Sequence, residues 1–384
     1  MIYLDSAATT AVRREVIEAM WPYLTGEFGN PSSHHPLGES AANALGKARA
    51  VLAKWLGCRA SEIIFTAGGT EADNLAIKGM ALGTPRGHHI ITTPIEHEAV
   101  LESCDYLARR HGFEVTMLGV DRAGLVDPDE LESIIREDTT LVSVMYANNE
   151  VGTIQPVERL AVIARAHGAQ MHSDAVQAAG ILPLSVASLG VDALSVSGHK
   201  IGAPKGIGAL FLRGVVPVEA VLHGGGQERG RRSGTENVAA AVGLAAAITL
   251  SELSREADAG QLALIRDAFI DEVLSSVPDA VLTGHRTLRL AGNASFCFPG
   301  TSGEAVLLQL EQHDIVCSSG SACAAGRDDP SHVLIAMGYE PGVAQTAVRF
   351  SFDATTTAEQ LQEVAVRLRE AVRSVRAIGV SSRG

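Results

Sequence analysis

A lysine, an aspartate and a glycine-rich turn carry the first chemical signal in this chain. Lys200 lies in SVSGHKIGAPKG, residues 195–206, directly after an apolar run and among small residues that let a bulky group approach the backbone. An amine in such a strand-end loop suits Schiff-base formation with a carbonyl cofactor. Alone, it would read as a surface lysine in a turn. Asp174 lies 26 residues upstream in HSDAVQAAG, at the end of another apolar run, with Gln177 just beyond it. Asp174 alone would be a helix N-cap. At successive strand ends the two match the needs of pyridoxal 5'-phosphate (PLP), whose electron sink requires a carboxylate on its ring nitrogen. A charge-assisted bond of that kind is worth about 1.5–3 kcal/mol.

Further motifs extend the pattern. In EIIFTAGGTEADN, residues 62–74, a strand runs through Gly68, Gly69 and Thr70 into a helix. Backbone N–H groups at such a helix start form a phosphate cradle. The simpler alternative is a capped helix, with Thr70 as N-cap and Asp73 reaching back in a box-like arrangement. Ser197, His199 and Thr235 supply further donors for the same phosphate. His97, in TPIEHEAV, opens a helix and offers an imidazole to stack on a ring and carry a proton. Asn148, Asn149 and Glu150 follow an apolar strand, either as an exposed turn or as polar anchors. Cys323 sits in a Ser/Gly/Ala run expected to be mobile, where a thiol is a candidate nucleophile. Cys317 reads as a core residue, and Cys58, Cys104 and Cys297 read as structural.

Alternating elements must position these residues. Strands are expected at 63–66, 89–94, 114–118, 141–147, 170–173, 193–197 and 208–212, with helices at 70–82, 97–111 and 157–167 between them. That order predicts a mainly parallel sheet covered on both faces, with ligands at the carboxyl ends of its strands. After Gly226 the pattern changes to two long helices, 235–257 and 260–277. Strands at 294–298 and 347–352 follow, with helices at 303–312, 331–337 and 357–377. This predicts a smaller α+β domain after a large α/β one.

Composition narrows the function classes. The 384 residues are 46% hydrophobic and 20% charged, with a net charge of −13. An acidic chain with 4% aromatics lacks the electrostatic footprint and stacking platforms of a nucleic-acid binder. Five scattered cysteines without a CxxC suggest free thiols in a reducing compartment. The apolar run 238–250 is shorter than the ~20 residues a membrane span needs. The expectation is a cytoplasmic protein with neither membrane nor direct nucleic-acid partners.

Taken in order, YLDSAATT, FGNPSSHH, FTAGGTEADNLAIKG, IEHEAV, ANNEVGTIQP, HSDAVQ, SGHKIGAPKGIGAL, GGGQERGRRSGTEN, SSGSAC and VRFSF resemble the PLP-dependent cysteine desulfurases of the NifS/IscS type, in the class V aminotransferase family. The resemblance implies the PLP-dependent transferase fold type I. A large α/β domain would span 1–257, its N-terminal segment packing on a small α+β domain, 258–384, that carries the catalytic cysteine loop. It implies that Lys200 holds PLP, Asp174 pairs with the ring nitrogen, Gln177 with the ring hydroxyl, and His97 stacks on the ring. Gly69, Thr70, Ser197 and His199 would bind the phosphate, joined by Thr235 from the second subunit of a homodimer. Asn149 and Arg349 would hold the carboxylate of L-cysteine, with Asn30 assisting, and Cys323 would carry the persulfide. The implied product is L-alanine. The implied sulfur acceptors are an iron–sulfur scaffold or a thiolation relay protein. Cys323 would be the sole metal ligand, through an iron–sulfur cluster shared with a scaffold. Glu39 departs from the pattern where Arg is common. A selenocysteine lyase or another class V enzyme such as a transaminase is the alternative, and Cys323 in SSGSAC argues against it.

Overall fold

The computed structural model of the chain describes residues 1–83, 86–319 and 329–381. The first two-thirds run β1 (Ile2–Tyr3), α1 (Arg14–Thr25), α2 (Pro36–Leu56), β2 (Ile63–Thr66), α3 (Gly69–Gly83), β3 (His89–Thr92), α4 (Glu98–His111), β4 (Glu114–Met117) and α5 (Pro128–Ile134). They continue through β5 (Thr139–Ser143), α6 (Val157–Ala166), β6 (Gln170–Asp174), α7 (Val186–Leu189), β7 (Ala193–Ser197) and β8 (Gly208–Leu212). Seven of these strands form one sheet in the order β2-β8-β7-β6-β5-β3-β4. Pairs from β7 through β4 are parallel, whereas β8 is antiparallel to both β2 and β7. The predicted mainly parallel α/β sheet is thus present, with one reversed strand near its edge.

Burial explains why these segments are strands. Every residue of β5, β7 and β8 is buried, as expected when helices cover both faces of a parallel sheet. One face packs through Leu52, Val142, Leu160, Met171, Leu194 and Leu244. The other packs through Leu75, Met80, Ile90, Leu107, Leu141 and Leu210.

The two helices expected after Gly226 are one. α8 (Val238–Ser276) runs 39 residues without interruption, about 58 Å at 1.5 Å per residue. Gly260, where the second helix was expected to begin, lies inside it, and a Cβ there would meet nothing within 4 Å. The position costs only about 1 kcal/mol of propensity, which flanking buried contacts outweigh. The helix passes through the division expected at 257–258. An 18-residue window of α8 averages a hydropathy of 1.4, apolar enough for a membrane span, yet 56% of that window is buried inside the fold. It packs along α1 and α2.

Beyond α8 lie β9 (Val281–Thr283), β10 (Asn293–Cys297), α9 (Gly303–Glu311), β11 (Ile315–Val316), α10 (His332–Ala336), α11 (Pro341–Ala344), β12 (Ala347–Ser351) and α12 (Ala358–Ser381). β12, β10 and β9 form an antiparallel sheet whose core stacks Phe269 edge-on against Phe296 and Phe350. The N-terminal strand β1 pairs in parallel with β11, and Leu4 is buried in this second core. The chain start is therefore carried back across the molecule, past the carboxyl ends of the large sheet.

Candidate active site

The sheet's register brings the site together. Thr66 at the end of β2 and Ser197 at the end of β7 both pair with Gly208, the first residue of β8. A Cβ on Gly208 would lie 2.7 Å from the Gly68 carbonyl carbon, so only glycine lets the turn after β2 settle there. The turn feeds α3, and a Cβ on Gly69 would lie 2.8 Å from Val176 Cγ2 and 3.5 Å from Ser197 Cβ. Gly69, Thr70, Ser197 and His199 line a cavity of about 810 Å³ at this helix start. Thr70 belongs to the helix proper, and Glu71 makes the backward contact imagined for Asp73, accepting from the Ala67 N–H at 2.8 Å. Asp73 instead is buried and lines a neighbouring cavity.

A second cavity, about 360 Å³, adjoins the first and shares Gly69, Thr70, Ser197 and His199 with it. His97, Asn149, Asp174, Gln177, Lys200 and Arg349 also line it. These residues come from the carboxyl ends of β3, β5, β6 and β7 and from β12. Lys200 Nζ donates to Ala7 O at 2.6 Å and Ala8 O at 2.7 Å, on the segment between β1 and α1. Gln177 Nε2 donates to the same Ala7 carbonyl at 3.0 Å. The sequence reading missed the positioning role of this segment, because a backbone carbonyl leaves no trace in residue type.

Burial governs the electrostatics of this pocket. Asp174 is buried; burial raises its pKa, opposed by the charges of His97 and Lys200 and by the Val176 N–H donated to Oδ1. His199 is pushed down to about 4 by burial and by Lys200 and Lys205, so it is neutral; Nδ1 is 3.1 Å from Thr9 Oγ1. His97 Nδ1 accepts the Ala99 N–H at 3.1 Å as the cap of α4. Arg349 is 2% exposed; it donates to Asn149 O at 2.9 Å and Asp5 Oδ1 at 2.7 Å, while its buried Nε has no partner. Asn148 and Glu150 are buried: Asn148 braces the turn by accepting the Glu150 and Val151 N–H groups, leaving Asn149 to face the cavity.

Two expected residues lie elsewhere. Asn30 is exposed, its Oδ1 accepting from the Ser32 N–H, and Thr235 is exposed outside both cavities. Cys323 falls outside the described residues. The four described cysteines are free, and burial pushes all of them up: Cys58 to about 11, Cys104 and Cys297 to about 12, and Cys317 further still. None of them has the depressed pKa of a reactive thiol. Among the described residues no group of three or more His, Cys, Asp or Glu could hold a metal.

Two buried acids were missed altogether. Glu96 is fully buried; Thr93 Oγ1 donates to Oε1 at 2.7 Å and the Met145 N–H at 2.9 Å, while Oε2 has no partner. Asp73 shares its helix face with Ala76, Ile77 and Met80, all buried. A carboxyl on an apolar stripe at i, i+3, i+4 and i+7 was the available signal.

The residues fit PLP on observations of this chain: a buried amine, a buried carboxyl, a cradle that a Cβ would fill and an orphaned guanidinium donor share one connected space. Residues 2–364 match the model of the family described as aminotransferase class-V. A curated relative from Dictyoglomus turgidum, a "Cysteine desulfurase IscS", is 46% identical over 97% of this chain and 96% of its own. A solved "NIFS-LIKE PROTEIN" superposes with a TM-score of 0.90 at 38% identity, covering 97% of this chain and 99% of that one. A structure described as "SspA in complex with cysteine" gives 0.80 at 34%, covering 92% and 99%. The chain belongs to the class-V aminotransferase family and, within it, to the cysteine desulfurases of the IscS and NifS-like type.

Proposed function

We propose that this chain is a PLP-dependent cysteine desulfurase that converts L-cysteine to L-alanine and passes the sulfur to acceptor proteins as a persulfide on Cys323. The observation that carries the reading is the convergence of Lys200, Asp174, His97 and Arg349 on one 360 Å³ cavity continuous with a phosphate cradle. Bound PLP supplies an electron sink that makes the substrate α-proton acidic. Lys200 Nζ holds the cofactor and then moves that proton. Asp174 fixes the ring-nitrogen end, Gln177 the ring hydroxyl and His97 the ring face. Gly69, Thr70, Ser197 and His199 anchor the phosphate; a neutral His199 with its proton on Nε2 is a donor there. Arg349, with its orphaned Nε, and Asn149 orient the substrate carboxylate, a job that a planar guanidinium does better than an ammonium. The Cys323 thiolate attacks the substrate sulfur: the carbon–sulfur bond breaks, a sulfur–sulfur bond forms, and the carbon fragment takes up protons to become alanine.

A homodimer completes the site. Thr235 is exposed away from its own chain's cradle, as a residue offered to a partner would be. Val221 and Leu222 line the mouth of the phosphate cavity at 43% and 47% exposure, and Trp21, Leu24 and Phe28 are more exposed still. Apolar side chains in such number favour burial against a second copy. The reading places the protein in the cytoplasm, serving an iron–sulfur scaffold or a thiolation relay, with Cys323 the ligand of any cluster shared with that scaffold. Incubation with L-cysteine and a thiol reductant should give equimolar alanine and sulfide. Pyruvate, amino-group transfer or turnover of selenocysteine alone would refute the assignment.

A further inference from the structure

A polar seam lies under the ring-nitrogen end of the cavity, and the chemistry above does not use it. His172, on β6 two residues before Asp174, is fully buried, with Nδ1 2.9 Å from Ser143 Oγ and Nε2 3.0 Å from Ser195 Oγ. Asp73 Oδ1 stands 3.7 Å from the same Nε2, and the Ser195 hydroxyl neighbours both the imidazole and this carboxyl. Asp73 is 1% exposed, lines the 360 Å³ cavity beside Asp174, and its Oδ1 has no hydrogen-bond partner. Two buried carboxyls therefore share one pocket floor, with Glu96 buried nearby.

We propose that Asp73 is a positioning residue for the cofactor's ring-nitrogen end: a proton-bearing carboxyl that, through Ser195 and His172, leaves Asp174 the single anion of the pocket floor. The proposal rests on the reading of this cavity as the cofactor site. Like charges in one low-dielectric pocket cannot both persist, so one carboxyl keeps its proton. The surroundings decide which. Asp174 has a backbone N–H and faces His97 and Lys200, both able to carry positive charge. Asp73 meets a hydroxyl and an imidazole that burial holds neutral, down at about 3. Burial and the Asp174 charge both push Asp73 upward. An ionised Asp73 would also leave Oδ1 buried and unsolvated, which is costly for a charge.

Infrared difference spectroscopy on the full chain, loaded with PLP and again after its removal, tests the protonation directly. Wild type minus Asp73→Asn should show the C=O stretch of a protonated carboxyl, and a carboxylate band in its place would overturn the proposal. A failure of PLP to bind wild-type protein would sink the cofactor reading instead, leaving the infrared result to stand by itself. PLP titration of the stripped protein gives the positioning arm. Asp73→Asn, a neutral isostere, should keep the dissociation constant within about threefold of wild type, and Asp73→Ala should weaken it at least about tenfold. The nitrogen chemical shift of ¹⁵N-labelled PLP should report a protonated ring in Asp73→Asn and a partly deprotonated one in Asp73→Ala. A purely structural role would lower the melting temperature of Asp73→Ala without moving that shift. Equal affinities in all three proteins, or an Asn variant as weak as the Ala variant, would refute the role. If Asp73→Ala does not fold, the Asn variant and the infrared band decide alone.

Discussion

Replacement of Glu96 by Gln should change how stability depends on pH. Burial raises the Glu96 carboxyl from 4.5 to about 8, with the Asp174 charge adding to the rise; the Met145 N–H, the Thr93 hydroxyl and the charge of His97 oppose it. The folded protein therefore keeps a proton on Glu96 where the unfolded chain has lost it. This group's stabilising contribution is complete below pH 4.5 and declines as pH rises toward 8. Within that window the slope is about 1.4 kcal/mol per pH unit, so raising the pH from about 5.5 to about 7.5 costs about 2.7 kcal/mol. With an unfolding entropy of about 2.1 cal/mol/K per residue over 384 residues, that is a melting shift of about 3 °C. Glu96→Gln preserves shape and has nothing to ionise. Its melting temperature should therefore gain about 3 °C relative to wild type between those two pH values, whatever the offset at the lower one. Scanning fluorimetry of cofactor-free protein in matched buffers measures the difference, in which other titrating groups cancel. An unchanged gap between the two proteins would mean that Glu96 is ionised in the fold, and the desolvation argument would fail.

Three further outcomes follow from the site. Lys200→Ala should lose the visible absorbance of cofactor-bound protein and all alanine production, and borohydride should fix the cofactor mass on the Lys200 peptide of wild type alone. Cys323→Ser should keep cofactor absorbance and its spectral response to L-cysteine and yield almost no alanine under reductant. Mass spectrometry should find the added sulfur atom on the wild-type Cys323 peptide and on none of the four described thiols. Arg349→Lys removes the fork that bonds Asn149 O and Asp5 Oδ1. KM for L-cysteine should rise at least about tenfold, the loss of one charge-assisted contact, with PLP affinity unchanged.

The strand-end residues were legible because chemistry there depends on residue type. An amine, a carboxyl, an imidazole and a glycine turn, each after an expected strand, define a ligand edge before any coordinates exist, and the parallel sheet follows from the alternation of strands and helices. Lys200, Asp174, His97, Gly69 and Arg349 all reach the cavity that this pattern implies. Tertiary structure decided the rest, wherever the determinant was a backbone atom or a burial. Ala7 and Ala8 anchor Lys200 through carbonyls that any residue would present. The helix continues through the exposed Gly260 because buried residues on either side of that stretch, Ile248 and Ser251 before it and Leu262 and Ile265 after it, hold both halves in place, a condition that local propensity does not encode. Asp73 and Glu96 look in sequence like solvated acids at a helix start, and only the closure of α3 and α4 over the sheet takes them out of water. Once water is gone, proximity to Asp174 determines which carboxyl is charged. That order of charge belongs to the folded pocket, because in the unfolded chain each acid titrates alone.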